Sequence, residues 1–469
     1  MISDYIALFP DFMLILGIAV MALVRLMRKS NTPKTFYTLS RIFMIASALG
    51  TALFYNQNIG GFWYNNSFTT LFKLLIYLFA FIWNYLSLKR FSSKDMPSFA
   101  FYELILLNIL GFSVAISSHN LLLLFAGLAP VFLSNCFLLR IERHYVKSRW
   151  FWGISLLFMA VFAAGVMILG HFASSFDYGD IERMLGIRSE IIWQYNLAFA
   201  FIVCAILFMA GIAPFHFWRA EALGEAILPV AGFLSIIPLF AYFACLVNVC
   251  VNAFYPLLGW MNPVLIDFGI ISVFIGAVGA NSENDLRRIF AYSGQYYTGV
   301  VLLVLFPIND HGLMASFTYL LVYITAICGI YTVLFALRSK GVYLSKLDDL
   351  KGVAAQRPFL SAALLVFMIS LIGTPPMLGF LGKLAAINTL VIEHRFVIIG
   401  VIMAAQLILV YAYLKIITVV YFEPRSTDFD KVDRGIYACL LAGMILILIA
   451  IINPKYLLHD VEQILVTVL

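Results

Sequence analysis

Charge is scarce in this chain. Asp, Glu, Lys and Arg make up 12% of its 469 residues, roughly half the share in soluble globular domains, so a water-soluble globule is excluded. Cysteine is scarce too. Cys136, Cys204, Cys245, Cys250, Cys328 and Cys439 all lie in or beside apolar segments, and no two form a CxxC pair. That excludes a disulfide framework and a thiol redox motif. The seven histidines are scattered, so no metal site is expected. No dinucleotide fingerprint, phosphate loop or iron–sulfur spacing is present, and no redox centre is visible. The net charge of +6 is spread over short loops, which argues against a nucleic-acid partner.

Apolar residues fill the space that charge leaves. They are 63% of the chain, with mean hydropathy +0.98, and the 43 Phe residues are spread throughout. This is the composition of an all-α polytopic protein whose solvent is the lipid bilayer. Met1–Pro10 has no basic stretch, so no cleavable signal is expected. About 20 apolar residues make one crossing, and fourteen such spans can be read: 5–25, 36–56, 68–88, 98–117, 119–139, 150–172, 192–215, 228–252, 257–280, 290–308, 313–337, 358–392 with a break, 396–422 and 434–453. The longest outer loop, 173–191, carries Asp177, Asp180, Glu182, Arg183, Arg188 and Glu190 and is expected to hold a surface helix. The connections after odd-numbered spans hold 23 of the 30 basic residues, from Arg25 to Arg434, and the other side holds four: Arg183, Arg188, Arg395 and Lys455. This bias puts both termini on the outer side. A bacterial inner membrane is the expected location, ahead of the mitochondrial inner membrane.

Lys383 is the most informative residue. It follows Gly373-Thr374-Pro375-Pro376 inside an apolar run. A lysine at mid-span costs about 2.5–3.5 kcal/mol even on the milder scale, and the prolines cannot continue a regular helix. Span 7 carries a similar interruption, Gly211-Ile212-Ala213-Pro214-Phe215-His216. The two broken helices, five spans apart, run in opposite directions, as in transporters built from inverted repeats. The expected division is a three-helix segment over 1–97, two inverted five-helix repeats over 98–252 and 257–422, and a C-terminal span over 423–469.

These residues also carry a family resemblance. Leu8-Phe9-Pro10-Asp11, Ala213 to Trp218, Asp285 to Ser293, Asp348 to Gly352, the stretch from Gly373 to Lys383, Tyr413-Leu414-Lys415 and Val420 to Pro424 together resemble the antiporter-like subunits of complex I, the proton-translocating NADH:quinone oxidoreductase, in particular the subunit N branch. The Lys383 stretch is also similar to one found in multisubunit cation/proton antiporters. The resemblance implies a translocase subunit without a redox centre of its own. NADH, FMN, iron–sulfur clusters and quinone would be handled by other chains, and its partners would be other membrane-arm subunits.

The departures from the family bear on function. The positions of its span 5 glutamate, its lysines on spans 7 and 8 and a later histidine are here Ala129, Met209, Leu239 and Tyr297. Proton relay needs titratable groups or ordered water within hydrogen-bond reach, so the chain's own half-channel is expected to be impaired. The remaining proton-path candidates are Lys383, His216 and Glu103. Glu103 lies near the start of span 4. Asp267 on span 9 and Lys73 on span 3 read likewise as charges near the membrane surface. The competing readings are a component of a cation/proton antiporter and a non-conducting scaffold or assembly paralogue.

Overall fold

The computed structural model describes residues 6–27, 33–88, 98–141, 148–187, 193–306, 308–339, 341–424, 428–449 and 464–465. Arg28, Lys29, Lys89, Arg90, Lys94, Arg143, Lys147, Arg188, Glu190, Lys340, Arg425 and Lys455, used above to orient the chain or to describe its outer loop, lie outside the described residues. The chain forms two compact units. One comprises Met1–Ala210, Ile237–Met261 and Ile464–Leu469; the other comprises Gly211–Ile236 and Asn262–Gln463.

The first unit begins with α1 (Phe9–Met27), α2 (Pro33–Leu53), α3 (Ser67–Ser87), α4 (Ser98–Ser117) and α5 (Leu121–Leu139). It continues with α6 (Ser148–Ala173), the short α7 (Tyr178–Ile187) that the loop composition predicts, and α8 (Trp193–Ala210). Asparagine starts two of these helices by side-chain capping: Asn66 accepts from Thr69 N at 2.9 Å and Asn120 from Leu122 N at 2.9 Å. Small residues let α4 and α5 touch backbone to backbone. A side chain on Gly111 would begin 2.5 Å from the Gly127 carbonyl oxygen, the close approach that drives helix association where lipid removes the hydrophobic force.

One end of this unit is closed by a clasp. A hairpin of β1 (Gln57–Ile59) and β2 (Trp63–Asn65) meets the turn between α4 and α5, where His119 N donates to Phe62 O at 2.8 Å. The turn in turn receives the strand-like stretch before α7: Tyr178 N donates to His119 O at 3.1 Å, and Asn120 Nδ2 to Asp177 Oδ1 at 2.6 Å. The His119 ring lies between those of Tyr64 and Tyr178, with centroids at 4.4 and 5.1 Å. Burial holds its pKa below the usual 6.5, against the opposing pull of Asp177. The unfolded chain therefore takes up a proton first as pH falls through about 6.5, and the clasp loses stability on the acid side. Protection factors at residues 118–121, taken against the intrinsic base-catalysed exchange rate at each pH, are expected to be lower at pH 5.5 than at pH 7.5, and His119→Gln should remove most of that difference.

The second unit contains α9 (Arg219–Glu225), part of α10 (Leu228–Asn252), most of α11 (Leu258–Ser282), α12 (Leu286–Leu305) and α13 (Asp310–Ala336). After the hairpin of β3 (Arg338–Ser339) and β4 (Val342–Tyr343) come the one-turn α14 (Val353–Gln356), α15 (Pro358–Ile372), α16 (Leu378–Ile392), α17 (Phe396–Phe422) and α18 (Arg434–Ile449). Asp285 and Asn309 cap α12 and α13. α13 is the core helix, packed by α12, α15, α16 and α18.

Among the described residues, eleven helices are long and apolar enough to cross a membrane. They coincide with eleven of the fourteen expected spans, and the chain is an integral multi-pass membrane protein. The other three expected crossings take different forms. Span 10 is α12, a full-length helix whose Ser293, Gln295, Tyr296 and Tyr297 side chains are buried. Span 12 is two half-helices, α15 and α16, of 15 residues each, and span 14 is the 16-residue α18.

Candidate functional site

The second break is built by the chain terminating one helix and starting another within five residues. α15 ends on Gly373, whose φ of +74° suits a residue without Cβ. Its amide returns to Ile369 O and Ser370 O, each at 3.0 Å. Thr374 to Pro376 are exposed, with a cis bond between Pro375 and Pro376, and α16 begins at Leu378. Gly379 packs so tightly that a side chain there would collide with the Ser370 carbonyl oxygen.

Lys383, on the second turn of α16, reaches back across this break. Its Nζ donates to Ile372 O at 2.6 Å, and a side chain on Gly373 would begin 2.9 Å from Nζ. The ammonium thus sits on the negative end of the α15 dipole and occupies a carbonyl that no helical amide can reach. The adjacent carbonyl, Leu371 O, accepts from the hydroxyl of Tyr297. Tyr297 stacks on Tyr323 and Tyr319, with ring centroids at 4.5 and 5.2 Å. Nearby, Tyr296 donates to Gln406 Oε1 at 2.6 Å, and Ser293 bonds Tyr413. Tyr297, counted from sequence among the lost channel positions, therefore faces the same helix end as Lys383 and keeps a hydroxyl there.

The first break repeats the construction. Gly211 has φ +72°, the peptide bond to the proline three residues on, Pro214, is cis, and helix resumes at Arg219. In the second break the corresponding spacing from Gly373 to its cis proline, Pro376, is also three. Ala213 N donates to the buried Ser272 Oγ at 2.7 Å, which satisfies a backbone group freed by the break. A side chain on Gly211 would begin 2.5 Å from Arg219 Cδ, just as Gly373 lies against Lys383. Sequence reading places Arg219 in a surface connection, but it is only 3% exposed. Its Nη2 shares one face of Gly294 with the Tyr323 hydroxyl. Each break thus carries a cation laid across its left-handed glycine: Arg219, which cannot be deprotonated in a protein, at the first, and Lys383 at the second. A glycine 8–10 residues before a basic residue is too common a pattern to have revealed this in advance.

The remaining sequence candidates are dispersed. His216 lies in the first break and is half-buried. Glu103 belongs to the other unit and sits 3.7 Å from Arg25, tying the start of α4 to the end of α1. Ala129 is partly exposed on α5, while Met209 and Leu239 are buried. Lys73 is enclosed by protein and not open to headgroups. It is 1% exposed, 4.0 Å from Asp11 and 3.2 Å from Asn65 Oδ1, because a pair formed with α1 replaces the solvation that headgroups would give. Asp267 lies in the middle of its helix and not near an end.

The chain resembles known proteins along nearly its whole length. Residues 118–409 match the family described as NADH:quinone oxidoreductase/Mrp antiporter, transmembrane. NADH-quinone oxidoreductase subunit N of Pelagibacter ubique is 28% identical over 370 residues, 77% of each chain. The protein of the same name from Bartonella bacilliformis is 26% identical over 465 residues, 95% of this chain and 94% of that one. Among solved structures, a chain of respiratory complex I from Thermus thermophilus superposes with a TM-score of 0.81 at 23% identity, covering 96% of this chain and 98% of the other. A chain of the Mrp complex from Dietzia sp. DQ12-45-1b gives 0.85 at 17% identity, with 100% and 98% covered. The fold is that of the antiporter-like subunits, and the chain belongs to the NADH:quinone oxidoreductase/Mrp antiporter transmembrane family.

Proposed function

We propose that this chain is a membrane-arm subunit of an NADH:quinone oxidoreductase, coupled to proton translocation through the second break and impaired in the first. The observation that carries this reading is the contrast between the two halves. Lys383 keeps a titratable ammonium on the open end of α15, whereas Ala129, Met209 and Leu239 offer nothing that can hold a proton. Oxidation of NADH, with its FMN, iron–sulfur clusters and quinone, belongs to other subunits, and the partners are neighbouring membrane-arm chains. The relatives named subunit N support this reading over a cation/proton antiporter component. The paired glycine–proline breaks support inverted repeats over 98–252 and 257–422. The bias of basic residues supports both termini on the outer side of a bacterial inner membrane.

The test is isolation of the tagged chain from its own membranes on a native gel, with mass spectrometry of what accompanies it. NADH-oxidising and quinone-reducing subunits are expected in the same band. Migration alone, or with antiporter subunits, would defeat the reading.

A further inference from the structure

Asp267 is the sole charged residue between Tyr255 and Ser282, in a stretch apolar enough to cross a membrane. It lies twelve residues from one end of that stretch and fifteen from the other, so at about 1.5 Å per residue it falls close to the midplane of a core about 30 Å thick. The burial of α11 shows which way it faces. Leu265, Ser272, Val273, Ala277 and Ala280 are buried, and Gly276 lies against the Tyr296 backbone of α12. Asp267, Ile271, Phe274 and Val278 are exposed. At 100° per residue these four form one stripe, turned away from α12. Among the described residues, none makes a hydrogen bond or ion pair with Asp267.

A carboxylate on an outward stripe at mid-membrane costs about 2.5–3.5 kcal/mol if it faces lipid. Intramembrane charges are almost always turned toward protein or a water-filled cavity, and a buried charge is retained when an opposite charge meets it. We propose that the Asp267–Val278 stripe of α11 is an interface to a transmembrane helix of a different subunit, which presents a lysine or arginine to Asp267 at mid-bilayer depth. The apolar residues of the stripe supply packing around that pair. The inference needs only the membrane setting, and goes beyond the functional reading by naming the surface and the chemistry of its partner.

Asp267→Leu separates the possibilities, because leucine suits a lipid-facing site better than aspartate does. The variant is expected to remain in the membrane while recovery of its neighbour from detergent extracts falls several-fold. A photo-crosslinking amino acid at Ile271, one turn away with Asp267 intact, should capture a single membrane subunit, and the joined peptide should contain a transmembrane Lys or Arg. Reversing that residue to Glu should restore the association of Asp267→Lys. Undiminished recovery with Asp267→Leu, adducts with lipid alone, or adducts between two copies of this chain would each overturn the proposal. The cross-link is read without NADH oxidation. A wild-type chain that lacks the NADH-oxidising subunits but still captures a basic transmembrane helix would therefore sink the functional reading and leave this one standing.

Discussion

Lys383→Met is expected to lower proton translocation per NADH oxidised while leaving assembly and NADH oxidation near wild type. The energetics favour a clean experiment. Placing a lysine within a span costs about 2.5–3.5 kcal/mol. Its hydrogen bond to Ile372 O contributes about 1.5–3 kcal/mol for a charged donor, and the α15 C-terminus adds up to about 2 kcal/mol where partly buried. These terms nearly cancel, so methionine, similar in length and apolar, should be close to neutral for folding. A fall in proton movement then reports the charge itself. The fall is limited to this chain's share of the total, and Lys383→Arg, which holds a charge but cannot release a proton, should lower translocation as much as methionine does. The readout is acidification of inverted vesicles driven by NADH, normalised to the oxidation rate. An unchanged ratio in the methionine variant would show that the second break conducts nothing through Lys383.

Much of this architecture was legible because membrane helices are written in long apolar runs, and because Gly–Pro interruptions within such runs have few alternatives. Both breaks fall where the sequence places them. What escaped were facts of tertiary contact. Arg219, the first residue of a seven-residue helix, reads as a loop residue, and only the left-handed Gly211 folding back on it shows why it is buried. Tyr297 looked like a loss because residue type alone was considered. Its hydroxyl finds Leu371 O on a helix 74 residues away, a partner that no local pattern encodes. α12 is polar enough to fall outside the apolar class because α13 and its neighbours, not lipid, surround it.

Lys73→Met is expected to destabilise the first unit by about 3–5 kcal/mol, the cost of leaving one member of a buried ion pair alone. Lys73 on α3 and Asp11 in the first turn of α1 are both almost wholly enclosed, and their nearest charged atoms are 4.0 Å apart. Around them, Asn65 accepts from both Lys73 and Ser117, at 3.2 and 3.0 Å, and its own amide donates to Ala7 O at 3.1 Å. The Trp63 ring faces the ammonium at 5.1 Å. The lysine therefore joins the hairpin, α1, α3 and α4 through one charge. With methionine in its place Asp11 must stay charged without a counter-ion or take up a proton, and either course costs free energy. Because an apolar or neutral pair of similar size often does as well as a buried salt bridge, Asp11→Asn combined with Lys73→Met should recover most of the loss. Unfolding midpoints in detergent provide the measure: several degrees lower for the single variant and near wild type for the double. If Lys73→Met alone melts like wild type, Asp11 has no need of that lysine, and the pair contributes nothing to holding α1 in place.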